Sequence, residues 1–158
     1  MESVARTFKP LWRTDHGFTI RDMNDNKLVF VFEDEADRER VMMGEPWAYD
    51  KHLVILKRIE EDEAIKEVEF CETSFWVQLH GLPVRRMNHE VANALGSSLG
   101  KIDRVFEGEA NAKGGMAMRI RVSMDVTKPL CRGRKTCLEK GREVWISFKY
   151  ERLPNFCY

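Results

Sequence analysis

The residues best suited to chemistry are basic and aromatic, and they crowd into one stretch. Between residues 113 and 149 stand 10 Lys and Arg against 3 Asp and Glu. Two segments within it alternate with the period of a strand. In "MAMRIRVSMDV", Met118, Ile120, Val122 and Met124 fall on one face, and Arg119, Arg121, Ser123 and Asp125 on the other. In "VWISFKY", Val144, Ile146, Phe148 and Tyr150 point inward while Trp145, Ser147 and Lys149 point outward. If the two strands pair, Arg119, Arg121, Trp145 and Lys149 share one open sheet face. The segment between them, "TKPLCRGRKTCLEKGRE", is a basic excursion that adds Arg132, Arg134 and Lys135. Cationic side chains neutralise phosphates, and an aromatic ring offers a base a stacking surface. The expected chemistry is therefore nucleic-acid contact: phosphates on the arginines and lysines, one base on Trp145. The competing reading is a solvated polar face, the commonest fate of Lys and Arg.

Other chemistries find little support. The sequence contains no serine elbow, HExxH, P-loop or GxGxxG. The histidines at 16, 52, 80 and 89 are scattered, and His80, beside a turn glycine, reads as structural. Cysteines stand at 71, 131, 137 and 157, and no pair has the two-residue spacing of a knuckle or redox motif. An enzyme is not expected, nor a small-molecule substrate. The strand "DNKLVFVFED" lacks the Lys/Arg-Gly-aromatic opening that presents stacking rings in RNA-recognition domains.

The elements that must position these residues follow from periodicity. The 158 residues are 43% hydrophobic and 33% charged, a core-forming composition. No apolar run approaches the roughly 20 residues that span a bilayer, so no membrane partner is expected. The opening "MESVARTFKPLWRT" has no secretory h-region, which points to the nucleus or cytoplasm. Net charge is zero, yet residues 1–75 hold 11 basic and 18 acidic side chains, and residues 76–158 hold 15 and 8. The first half reads helix, strand, strand, helix, strand; the second reads strand, helix, strand, strand, excursion, strand. The second order is close to βαββαβ. The expected fold class is α+β: two packed RRM-like or ferredoxin-like sandwiches with antiparallel sheets, the first lacking its initial strand. The expected divisions are an acidic subdomain over 1–66, a basic one over 67–153, and a stub at 154–158.

Four blocks then stand in order: "GEPWAYDKHLVILKR", "FWVQLHGLP", "RIRVSMDVTKPLCRG" and "YERLPNFCY". Together they resemble the plant domain-of-unknown-function proteins of the gag-like first open reading frame of LINE-type retrotransposons and their domesticated relatives. The resemblance implies a non-catalytic protein that packages or chaperones single-stranded RNA or DNA. It also implies that "YERLPNFCY" runs into a CCHC zinc knuckle with Cys157 as first ligand. The two further cysteines and the histidine of that knuckle do not follow Cys157 here, so no cofactor is expected in this chain and zinc only with the missing knuckle. The alternative is a homo-oligomerisation or protein-interaction module, or an inactive transposon remnant.

Overall fold

A computed structural model of the chain describes residues 1–60, 63–106, 117–137 and 139–154. Two compact units divide at Val54 and Ile55, earlier than the boundary at 66 expected from composition. Both are α+β, with antiparallel sheets and, among the described residues, three α-helices in all. Among the described residues no helix is long and apolar enough to cross a membrane.

The first unit is organised by aromatic rings four residues apart on one helix. Helix α1 (Glu2–Trp12) buries Phe8 and Trp12, which stack at 4.5 Å, because residues i and i+4 share a helix face. Leu11, one position before Trp12, is exposed. Strands β1 (Phe18–Asp22) and β2 (Leu28–Phe32) form a hairpin. It brings Phe18 and Phe30 to 5.2 and 5.0 Å from the Trp12 ring. Helix α2 (Glu35–Met43) starts on Asp34, whose carboxylate accepts the Ala36 N–H, an N-cap of the expected kind.

Where the first half was expected to close on a single strand, the chain makes two. Strands β3 (Trp47–Tyr49) and β4 (His52–Val54) make a second tight hairpin around Asp50 and Lys51, both with positive φ. That two-residue turn matches the right-handed twist of its flanks. The described residues of this unit therefore hold two separate two-stranded sheets, not the one sheet of a sandwich missing a single strand.

The second unit contains strands β5 (Glu72–His80), β6 (Lys101–Phe106), β7 (Met118–Asp125), β8 (Gly133–Cys137) and β9 (Glu143–Tyr150), and helix α3 (His89–Gly96). Asn88 caps α3 by accepting the Val91 N–H at 2.9 Å, the contact an N-cap asparagine favours. The strands form one antiparallel sheet in the order β6-β7-β5-β9-β8. With β7 between β5 and β6, the first crossover is split, as in a βαββαβ fold. Where that fold would place a second helix, the excursion supplies edge strand β8. Phe75, Val77, Leu79, Ile120, Val122, Ile146 and Phe148 are buried on the face that α3 covers at β6 and β7.

Gly100 lets β6 approach β7 closely. A Cβ there would lie 2.1 Å from the Ser123 carbonyl oxygen, a backbone atom. Gly100→Ala is expected to destabilise this unit by about 1–3 kcal/mol, the usual cost of overpacking; a urea-unfolding midpoint unchanged from wild type would contradict it.

Candidate nucleic-acid interface

The open face of the sheet follows from alternation in β5. Thr73, Phe75, Val77 and Leu79 are buried, which turns Ser74, Trp76, Gln78 and His80 outward. The expectation that β7 and β9 pair directly is not met: β5 lies between them. A periodic sequence states which side of a strand is apolar but not which strand is its neighbour. Register then brings Trp76 opposite Arg121, and Gln78 opposite both Arg119 and Lys149.

This insertion changes the surroundings of the two central arginines. Arg119 donates from Nε and Nη2 to the Glu151 carboxylate at 2.7 and 3.0 Å. Its guanidinium lies 4.4 Å from the Trp76 ring centroid. Arg121 is 6% exposed and stands 5.7 Å from the same ring. An arginine over an indole is held by its attraction for the negative ring face, and a bidentate carboxylate fixes its plane. Both expected phosphate ligands are thus engaged by their own chain. Trp76 went unassigned in the sequence, although the alternation of Phe75, Val77 and Leu79 already turned it outward.

The peripheral cations divide between two faces. Lys135 is opposite Trp145 in the β8–β9 register, so it shares the open face with Trp145 and Lys149. Arg134 is opposite the buried Ile146 and so stands on the other face. Arg132 continues the same register, its carbonyl accepting the Phe148 N–H at 2.8 Å. Arg134 is nevertheless exposed, because α3 covers β6 and β7 rather than the β8 edge. The expected single cluster is thus an open-face group of Lys135, Trp145 and Lys149, with Arg132 and Arg134 around the strand edge. Among the described residues, Arg134, Lys135 and Lys149 form no ion pair.

Trp145 is 54% exposed, and its ring passes over Gly133. A Cβ at Gly133 would meet ring atoms Cζ2 and Cε2 at 2.5 and 2.7 Å. Gly133 is opposite Ser147, and Ser147 is opposite His80. The His80 Nε2–H donates to Gln78 Oε1 at 2.8 Å. Burial, and then the nearby Lys149 charge, hold the His80 pKa below its ordinary 6.5, so the ring is neutral at pH 7.

Two groups of side chains are of metal-ligand type. His16, Asp34 and Asp37 place one ligand atom each within 4.8 Å of one another. Their carboxylates already serve the fold: Asp34 caps α2, and Asp37 accepts the N–H groups of Asp15 and His16. Zinc thiolates of one site sit about 2.3 Å from a common ion. Cys131 precedes β8 and donates its S–H to the Gly133 carbonyl, whereas Cys137 ends the strand. Among the described residues neither thiol is gathered with two further ligand-type side chains. Cys157 lies outside the described residues.

Comparison with known proteins adds context. The chain is 28% identical over 117 residues to an uncharacterised protein of Arabidopsis thaliana, an alignment covering 74% of this chain and 37% of that protein. The chain thus spans well under half of that relative's length. No solved structure matches it. Residues 124–158 match the family described as "Zinc knuckle". That corrects in part the expectation of a missing knuckle: the likeness starts at residue 124 and suggests zinc binding. The matched residues contain Cys131, Cys137 and Cys157 and no histidine, and the described thiols do not by themselves assemble a tetrahedral set. Residues 1–67 match the family described as "Domain of unknown function (DUF4283)". The chain is therefore similar to a DUF4283 domain followed by a CCHC-type zinc knuckle segment.

Proposed function

We propose that the chain is a non-enzymatic nucleic-acid-binding protein of gag-like retrotransposon origin. It holds single-stranded RNA or DNA by its phosphates along β8 and β9, with low sequence specificity. The observation that carries this reading is the set of exposed cations Arg134, Lys135 and Lys149 beside the half-open Trp145 ring. The zinc-knuckle likeness supports it, since such knuckles belong with single-stranded nucleic-acid recognition. The sequence resemblance to gag-like proteins supports the proposed origin.

Three phosphate contacts give a slope of log K against log salt near −2 for a single strand. Filter binding to single-stranded RNA is then expected to weaken about 20-fold between 50 and 200 mM salt. Absence of binding at 50 mM would overturn the reading.

A further inference from the structure

Resting on that reading, we propose that Trp145, Gly133, Ser147, His80, Gln78 and Lys149 form a seat for one unpaired nucleobase. The base stacks on the open side of the Trp145 ring with its edge toward the His80–Gln78 pair. Phosphate binding alone needs none of the uncharged members of this set.

The sheet register builds the seat. His80, Ser147 and Gly133 lie in one row across β5, β9 and β8. Two members of that row are small, so the middle of an otherwise bulky face is low. The Trp145 ring leans into the row from its own position, over Gly133. Neighbouring strands are about 4.8 Å apart, so Trp145 over β8 and His80 over β5 are separated by about two such spacings. Ser147, the small residue between them, leaves that interval open to the edge of a planar ring. Any side chain at Gly133 would meet both the Trp145 ring and the Ile146 carbonyl oxygen, so the glycine sets the placement of the indole together with the close approach of β8 to β9.

The polar side of the seat has defined donors and acceptors. His80 uses Nε2–H toward Gln78 Oε1, which leaves Nδ1 as an acceptor on a neutral ring. Gln78 keeps its amide N–H groups as donors. An acceptor next to a donor complements a base edge that carries an amino group beside a ring nitrogen. Lys149, opposite Gln78, and Lys135, opposite Trp145, flank the seat where the backbone of a strand would enter and leave. That charge complementarity makes a nucleic-acid strand the occupant.

The test compares two probes on the full chain at 50 mM salt: a 12-nucleotide oligo-adenylate, and a strand of the same length whose sugars lack bases. The adenylate is expected to bind about 10-fold tighter and to quench tryptophan emission, a gain typical of one stacked base. Trp145→Ala should lower adenylate affinity to that of the abasic strand and leave the abasic strand's affinity unchanged. Gly133→Val should act in the same direction, and His80→Ala should cost about 3-fold with adenylate alone. Equal affinity of the wild type for both strands, or equal losses for both with Trp145→Ala, would overturn the seat while leaving phosphate binding intact. Failure of both strands to bind would overturn the phosphate reading and the seat with it.

Discussion

Replacing Asp37 by alanine is expected to lower the melting midpoint of the first unit by roughly 10 °C. The side chain is 1% exposed, yet it is charged and fully occupied. One oxygen accepts the Asp15 N–H at 3.1 Å and faces Arg40 Nη2 at 2.6 Å; the other accepts the His16 N–H at 2.9 Å. Arg40 in turn donates to the Arg13 carbonyl at 3.2 Å. One carboxylate thus ties α2 to the loop leaving α1. Its removal strands two backbone donors and costs Arg40 its shortest contact, and leaving buried donors unpaired is among the costly kinds of substitution.

The pH dependence follows from the same contacts. The His16 N–H is the largest influence lowering the Asp37 pKa below 3.8, and the Asp15 N–H and Arg40 add to it against the raising effect of burial. A carboxylate depressed in the folded state contributes stability above its unfolded pKa and loses it as pH falls through the folded value. The difference in midpoint between wild type and Asp37→Ala should therefore be full at pH 7 and shrink below about pH 3.8. Thermal melts followed by hydrogen exchange at residues 13–17 check it. A gap that persists undiminished at pH 2 would contradict the carboxylate account.

Reversing two charges on the open face should have the largest effect on binding. Lys135→Glu combined with Lys149→Glu is expected to weaken single-stranded RNA binding about 50-fold at 50 mM salt and to flatten the salt slope by about 1.4. Both side chains are exposed, so folding should be unaffected, which a circular dichroism spectrum superimposable on that of the wild type would check. The double substitution Arg119→Ala with Arg121→Ala is a poorer probe than the sequence implies. Arg121 is buried and both guanidiniums pack on Trp76, so that variant should lose stability as well as affinity. If Lys135 and Lys149 reversal leaves binding intact, the β8–β9 surface is not the interface.

Much of this surface was legible from spacing. The inward and outward assignments of β7 and β9 hold residue by residue, with Arg121 the one outward side chain that is buried. The Asn88 cap is equally local. Local chemistry dictates these features: the strand period of two, and a side chain that accepts from its own helix. The β3–β4 hairpin was missed because Asp50 and Lys51 lack the Asn-Gly or Gly signal that marks such turns. The excursion was read as a loop in place of a helix, since "GRKTC" shows no apolar alternation; as an edge strand, β8 needs none.

By itself the sequence determined which residues face out on each strand, where the charge lies and how α3 begins, because each depends on neighbours a few positions away. Only the tertiary structure decided who stands beside whom. By placing β5 between β7 and β9, it set Arg119 and Arg121 over Trp76 and brought His80 into line with Ser147 and Gly133. Strand order is settled by which apolar faces pack together across dozens of residues, and a period of two within each strand carries no record of that choice.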